Sequence, residues 1–112
     1  MKGTNLGEFE ELVMLTIASL DNKAYSVAIC DEIEKNTGRK VKLGMVHASL
    51  NRLEKKGYVH SHLGEATKMR GGRRKRLFNV TQIGVRILHQ AKEQRNRMWD
   101  LIPDFVLEGA LS

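Results

Sequence analysis

The chain has 112 residues, of which 41% are hydrophobic and 29% are charged, as is typical of one globular domain rather than a disordered chain. Its single cysteine excludes an intramolecular disulfide, and no apolar run approaches the roughly 20 residues that span a bilayer. The start of the chain leads into glutamates instead of an apolar segment, so we expect a cytoplasmic protein without a signal peptide.

The net charge of +6 is concentrated in the middle of the chain. Residues 1–34 hold two basic and seven acidic side chains, residues 35–76 hold thirteen and two, and residues 77–112 hold four of each. Such asymmetry in a small domain indicates a polyanionic partner, and it favours nucleic acid over a membrane surface.

Two helices are predicted at the start of the chain. Apolar residues at helical spacing predict the first over residues 6–20. Ser26 is a suitable N-cap for a second helix that runs to about residue 37, and Gly38 follows where a C-terminal glycine belongs. The glutamates of both helices are expected on the solvent side.

The third helix is predicted over about residues 43–56, ending at Gly57, with an inward stripe of Leu43, Val46, Leu50 and Leu53. At roughly 100° per residue, the opposite face suits the reading of a DNA groove, with His47 on its flank. Asn51 can bond adenine bidentately, and Arg52 can bond guanine or reach a phosphate. A plain solvated helix face explains the same pattern, so that alternative stays open. The predicted DNA-facing set on this helix is Gly44, Met45, His47, Ala48, Asn51, Arg52 and Lys55.

Lys42 stands where this helix begins. Ser, Thr, Asp or Asn usually caps a helix at that position, and a cation there opposes the helix dipole. A DNA phosphate bound at the helix end would compensate for the cation, so Lys42 is a candidate DNA contact. A solvated lysine that is tolerated at small cost is the alternative.

A hairpin with a basic tip follows. Alternating residues predict strands over residues 58–63 and 76–80, joined by a polar loop over residues 64–75. The segment from Lys68 to Arg76 holds six cations in nine residues, together with two glycines that let it follow a DNA backbone. Taken alone, such a run also suits a nuclear localisation signal, a lipid-binding patch or a solvated loop. The predicted DNA contacts in this segment are Arg70, Arg73, Arg74, Lys75 and Arg76.

This order of elements predicts a mainly α fold with a β-hairpin, in which the third helix enters the major groove. It is a winged helix-turn-helix over residues 1–81, followed by a C-terminal dimerisation helix over residues 82–112. Thr81 is expected to cap that helix, which runs over about residues 82–102 and which Pro103 ends or kinks.

The final helix carries apolar residues near heptad spacing, which predicts a homodimer. Arg95 interrupts this stripe, so folding back over the first helix of the same chain is the alternative. Trp99 and Met98 are candidate walls of a pocket for a small planar aromatic effector, with plain interface packing as the alternative for Trp99. The predicted interface residues are Leu88, Ala91, Met98, Ile102 and Phe105.

The sequence contains no motif of an enzyme or a metal site. It lacks a P-loop, a Rossmann glycine pattern and a nucleophile elbow. His60 and His62 share one face of a predicted strand, but metal-binding Cys-x-x-Cys and His-Glu-x-x-His spacings are absent. Cys30 is expected to be a small core residue. We therefore expect neither catalysis nor a cofactor.

These segments together resemble the PadR-like family of winged-helix transcriptional regulators, over about residues 6–90. The resemblance implies a homodimer that binds operator DNA, usually as a repressor, through the third helix and the hairpin, with most dimer contacts from the C-terminal helix. Some short members resemble sensors of drugs or phenolic compounds, and this chain resembles the short type with one C-terminal helix. The segments that carry the resemblance are residues 6–13, 24–29 and 43–57 and, most specifically, residues 70–76 with residues 81–84.

Two positions depart from the family pattern. The family usually has Tyr where this chain has His47, and it often has a small polar residue where Lys42 stands. A histidine that donates to phosphate more strongly when protonated would make DNA binding sensitive to pH. The sequence thus predicts a DNA-binding regulator with a pseudo-palindromic operator. The alternatives are a ligand-responsive sensor of the same fold and a module whose basic hairpin binds an acidic protein.

Overall fold

The computed structural model describes residues 6–65 and 74–111. Within these ranges no helix is long and apolar enough to cross a membrane. The described chain is mainly helical with one antiparallel hairpin, which confirms the predicted fold class. Its elements are α1 (Glu8–Leu20), α2 (Ser26–Thr37), α3 (Leu43–Lys55), β1 (Val59–Leu63), β2 (Arg76–Val80), α4 (Gln82–Asp100) and α5 (Asp104–Leu111).

The hydrophobic core lies between the first three helices and the hairpin. Val46, Leu50 and Leu53 of α3 are buried as predicted, but Leu43 is 42% exposed and Ser49 is fully buried instead. Leu43 is the first residue of α3 and lies at the edge of the core, so the apolar spacing alone overestimated its burial. Burying each large apolar side chain contributes roughly 1.5–3 kcal/mol to folding. The core also includes Val13, Met14, Ile17, Ile29, Ile33, Val59 and Phe78.

The two strands pair in the register that sets Val59 opposite Val80 and Ser61 opposite Phe78. Burial decreases along this face towards the tip, where Leu63 is 47% exposed. The N–H of Phe78 donates to the carbonyl of Ala24 at 2.9 Å, so the hairpin is also bonded to the turn between α1 and α2.

Thr81 joins three parts of the chain at the start of α4. Its hydroxyl accepts from the N–H of Gly84 at 3.0 Å, which confirms the predicted cap. The same hydroxyl donates to the carbonyl of Gly57 at 2.7 Å, and the Thr81 N–H donates to the carbonyl of Tyr58 at 3.0 Å. Gly57 has φ +78°, a left-handed conformation that favours glycine at this turn.

The helix starts differ in detail from the prediction. Tyr25 is the N-cap residue of α2, and Ser26 is its first helical residue. Helix α1 begins at Glu8, after its N-cap Gly7. Glu10 and Glu11, which were expected on the solvent side of α1, are 7% and 5% exposed. The solvent-side prediction is therefore wrong for these two carboxylates, because both pair with cations from distant helices.

The long C-terminal helix ends before Pro103, as predicted, and a second helix that was not predicted follows it. Helix α4 ends at Asp100, and α5 begins at Asp104. The residue before a proline is disfavoured in the α conformation, so Ile102 cannot continue α4 into Pro103. The carbonyl of Pro103 accepts from the N–H of Val106 at 3.0 Å, at the start of α5.

We predict that Gly84→Ala destabilises the fold by about 1–3 kcal/mol, because overpacking forces backbone shifts. A Cβ at Gly84 would collide with the carbonyl of Tyr58 and lie 2.7 Å from Cγ1 of Val80. Urea denaturation followed by circular dichroism measures the loss in free energy of unfolding. The matched control is Gly44→Ala, since a Cβ at Gly44 meets open space and alanine favours a helix by up to about 1 kcal/mol. Equal stability of Gly84→Ala and wild type would contradict the close packing of α4 on Tyr58.

Candidate nucleic-acid interface

One face of α3 is open to solvent along its length. Gly44, Ala48, Asn51 and Lys55 are exposed and follow each other at helical spacing, opposite the buried stripe. Lys42 is the N-cap residue of α3, as its sequence position predicted, and its backbone is extended. The small residues allow another molecule to approach the helix backbone closely, and the polar ones can donate hydrogen bonds to it.

The edge of α3 that carries His47 and Glu54 lies beside the hairpin. The hydroxyl of Ser61 on β1 donates to Oε2 of Glu54 at 3.0 Å and accepts from Nη1 of Arg76 at 3.0 Å. Arg74 donates through Nε to the carbonyl of Gly64 at 2.8 Å. The hairpin is thus bonded to α3, and Arg74 and Arg76 have defined positions at the loop end of its strands.

Lys75 connects the hairpin to α2. Its Nζ lies 4.0 Å from the ring centroid of Tyr25, within the range of a cation–π contact. A cleft of about 490 Å³ opens between the start of α2, α3 and the hairpin. Arg70 and Arg73, which were predicted to contact DNA, lie outside the described residues. The polar and charged residues that line the cleft are Tyr25, Ser26, His47, Asn51, Glu54, Ser61, Lys75 and Arg76.

The opposite edge of α3 pairs with α1 through the buried Glu10. Oε1 of Glu10 accepts from the N–H of Gly7 at 2.9 Å and from Nζ of Lys56 at 3.1 Å, and Oε2 accepts from Nε of Arg52 at 3.3 Å. Burial alone would raise the pKa of Glu10, but the Gly7 N–H, Lys56 and Arg52 together hold it below its ordinary value of 4.5. The predicted DNA contact Arg52 is therefore already bound within the protein.

Glu11, the next residue on α1, pairs with Arg95 of α4. Nη1 of Arg95 donates to Oε2 of Glu11 at 2.6 Å, and Nη2 donates to Oε1. Arg95 thus interrupts the apolar stripe of α4 because it meets α1 of the same chain. Leu88 also packs against the core, and Ala91 is only 6% exposed within the chain. The first half of α4 is therefore packed on its own chain.

The second half of α4 and the start of α5 expose apolar side chains. Met98, Trp99 and Phe105 are 64%, 60% and 74% exposed, whereas Ile102 is half-buried. Trp99 borders a shallow depression on α4 beside Met98 and a groove of about 500 Å³ between α1 and α4. The apolar residues of that groove are Leu15, Ala18, Val85, Leu88 and Trp99.

The histidines and the cysteine do not form a metal cluster. In the described part of the chain, no three His, Cys, Asp or Glu side chains come together in a way that could hold a metal ion. His60 and His62 have ring centroids 6.5 Å apart. Cys30 is half-buried, and burial together with the charge of Asp31 raises the pKa of its thiol. A raised pKa disfavours the reactive thiolate.

Several residues of this surface carry no signal in the sequence. Tyr25 and Ser61 anchor the hairpin, Glu54 bonds to it, and Glu10 holds Arg52. Each acts through a contact between elements, so periodicity within one element carries no signal for it. The one relevant signal in the sequence is the excess of acidic residues before residue 35, which indicates that some of these carboxylates pair with cations later in the chain.

Three helices, a hairpin with basic residues at the loop end of its strands and an open face on the third helix define a winged helix-turn-helix protein. The profile of the family described as "Transcriptional regulator PadR-like family" matches residues 14–90. This match covers more than half of the chain, and the chain belongs to the PadR-like family of transcriptional regulators.

Solved structures of transcriptional regulators share the fold. The regulator Cth-833 of Clostridium thermocellum is 23% identical over 87% of this chain and 88% of its own, with a TM-score of 0.67. A PadR family regulator from Clostridium difficile R20291 is 18% identical over 88% and 98%, with a TM-score of 0.69. A PadR-like regulator from Bacillus cereus ATCC 14579 is 16% identical over 93% and 91%, with a TM-score of 0.68. Among curated proteins, none matches this chain significantly.

We predict that Glu10→Gln lowers the free energy of unfolding at about pH 7 by about 1–3 kcal/mol, because Lys56 and Arg52 lose their charged acceptor. Folding lowers the pKa of Glu10, so its stabilising effect is present above the ordinary value of 4.5 and is lost as pH falls through the lowered pKa. The difference between variant and wild type should therefore shrink as the pH falls below 4.5 in urea denaturation. Glu8→Gln is the control, since the Glu8 side chain is 69% exposed. A difference that does not depend on pH would refute a role for the Glu10 charge.

Proposed function

We propose that this regulator binds a pseudo-palindromic operator as a homodimer and represses transcription, with α3 in the major groove and the hairpin on the adjacent backbone. The observation that carries the proposal is the open face of α3 beside the basic cleft formed with the hairpin. A winged helix-turn-helix presents its recognition helix and its hairpin to DNA in this arrangement.

The residues of the α3 face have separate roles in this proposal. Asn51 forms hydrogen bonds with a base edge, and Lys55 contacts a phosphate of the DNA backbone. Gly44 and Ala48 are small enough to let the helix enter the groove closely. Lys42 meets a phosphate at the start of α3, where the helix dipole adds to the attraction. The hairpin contributes Lys75 and the arginines around it as phosphate contacts, which include the predicted Arg70, Arg73, Arg74 and Arg76.

The exposed apolar side chains at the C-terminal end support a dimer. Exposed apolar surface on a small protein often marks an interface. Met98, Trp99 and Phe105 are exposed here, and Trp99 also lines the groove between α1 and α4. In this proposal residues 1–81 bind DNA, and residues 82–112 bring a second copy close. A two-fold dimer would set two recognition helices about 34 Å apart, one turn of DNA. Since the partner is DNA, we place the protein in the cytoplasm.

A ligand-responsive regulator is the second candidate function. The groove beside Trp99 has a volume of about 500 Å³, which is within the usual range of small-molecule sites. A planar aromatic effector stacked on Trp99 of α4 would contact the helix that we assign to the dimer. Such a molecule could therefore alter the spacing of the two recognition helices.

We predict that Asn51→Ala relaxes base preference by about 1–3 kcal/mol at one operator position and leaves thermal stability nearly unchanged. Its side chain is exposed, so its removal leaves the core intact. Fluorescence anisotropy with the duplex upstream of the protein's own gene, and with single-base variants of it, measures the preference. Asn36→Ala on α2 is the matched control, because Asn36 is also exposed but bonds to Glu32 of its own helix. The DNA-binding proposal fails if wild-type protein binds no duplex at low salt but binds an acidic protein.

We predict that full-length protein sediments as a dimer at micromolar concentration and that Met98→Glu shifts it to monomer. A carboxylate near the two-fold axis would be desolvated and would face its own copy, which costs several kcal/mol. Analytical ultracentrifugation measures the shift. Val27→Glu, which places the same charge on a 47%-exposed side chain of α2, should remain dimeric. A wild-type monomer, or a dimer insensitive to Met98→Glu, would overturn this assignment of the interface.

A further inference from the structure

A buried carboxylate holds a cation at the edge of the recognition helix. Glu10 is 7% exposed, and its Oε2 accepts from Nε of Arg52 at 3.3 Å. Nη2 of Arg52 also donates to the buried hydroxyl of Ser49 at 3.2 Å. The Arg52 side chain is nevertheless 55% exposed, so it is bound on its inner side and open to solvent on its outer side.

Arg52 lies beside the face that we assign to DNA. It follows Asn51 directly and lies one helical turn from Ala48, on the edge that faces α1. A flexible arginine at this position of a groove-bound helix reaches the phosphates at the groove wall, and such contacts carry affinity without sequence information. The pairing with Glu10 turns the guanidinium towards α1 instead.

DNA cannot take Arg52 from Glu10 without a cost. The carboxylate is buried, so removal of Arg52 would leave a desolvated charge with one cation fewer. Glu10 would keep Lys56 at 3.1 Å and the Gly7 N–H at 2.9 Å, which hold it in the same place. A phosphate therefore competes with an acceptor that is already desolvated and in position.

We propose that Glu10 is a specificity-determining residue that withholds Arg52 from the DNA backbone. This inference rests on the proposed binding of DNA by α3. The pairing removes one non-specific phosphate contact per protomer. Base contacts on the α3 face therefore supply a larger share of the free energy of DNA binding. The ratio of specific to non-specific affinity rises as a result, which is the quantity that matters among many competing genomic sites.

The test is Glu10→Gln, which removes the charge and keeps the shape and the acceptor for the Gly7 N–H. Released Arg52 should bind a phosphate, so affinity for a random duplex should increase at low salt. The slope of log affinity against log salt should steepen by about one unit per protomer, and the specific-to-random affinity ratio should decrease. A purely structural role predicts the reverse, with weaker binding and no steeper slope.

Three further variants separate the effect of Arg52 from a general loss of charge. Glu11→Gln removes the neighbouring buried carboxylate, which pairs with Arg95 of α4, and should leave the slope unchanged. Arg52→Gln alone should keep the wild-type slope for a random duplex, since Arg52 is withheld there. The double variant with Glu10→Gln and Arg52→Gln should return the slope to the wild-type value.

An unchanged slope in Glu10→Gln, or a shallower slope in Arg52→Gln alone, overturns the proposal. Circular dichroism melts verify that each variant is folded at the assay temperature. If Glu10→Gln does not fold, the salt dependence of Arg52→Gln alone tests the proposal: a wild-type slope supports it, and a shallower slope overturns it. Wild-type protein that binds no duplex at low salt overturns the proposed function instead, so the two failures are distinguishable.

Discussion

Two adjacent buried carboxylates on α1 connect the helices on which the proposed activity depends. Glu10 pairs with Arg52 and Lys56 at the end of α3, and Glu11 pairs with Arg95 in the middle of α4. Neighbouring residues of a helix point roughly 100° apart, so one turn of α1 can face two different helices. Since a buried carboxylate without partners costs several kcal/mol, both pairings constrain where α3 and α4 lie.

Helix α1 pairs both with α3, which carries the proposed DNA-facing residues, and with α4, which carries Trp99. The groove beside Trp99 lies between α1 and α4, whereas the cleft beside the α3 face is lined by the start of α2, α3 and the hairpin. Arg95 and Trp99 are four residues apart and therefore share a face of α4. A molecule or a second copy that contacts Trp99 lies one turn from the Glu11 pair, and Glu11 is next to the residue that holds Arg52. Glu10 and Glu11 are adjacent residues, so the two separate ion pairs start from one turn of α1.

The local features were predictable because they depend on neighbours in sequence. The structure confirms the helical spacing of Val46, Leu50 and Leu53, the two predicted strands and the cap at Thr81. Burial alternates only in part along the strands, since Leu63 is exposed. The ion pairs were not predictable, since Arg52 lies 42 positions from Glu10 and Arg95 lies 84 positions from Glu11. For the same reason, sequence alone could place the basic residues on the hairpin but could not identify the ring of Tyr25 beneath Lys75.

The distribution of charge around α3 assigns the attraction of DNA and the recognition of its sequence to different residues. Glu10 binds the cation at one edge of the α3 face, and Glu54 at the other edge is bonded through Ser61 to Arg76. The centre of the face keeps the small or neutral residues Gly44, Ala48 and Asn51, followed by Lys55 at its end. Phosphate contacts position a protein on DNA, whereas base contacts specify the sequence. Cations on the hairpin can attract the duplex. Because the helix face is nearly neutral, hydrogen bonds to base edges can then determine which DNA sequence the protein binds most tightly. The centre of that face is neutral because its residues carry no charge, and Glu10 offsets the charge of the cations at one edge, in a chain with a net charge of +6.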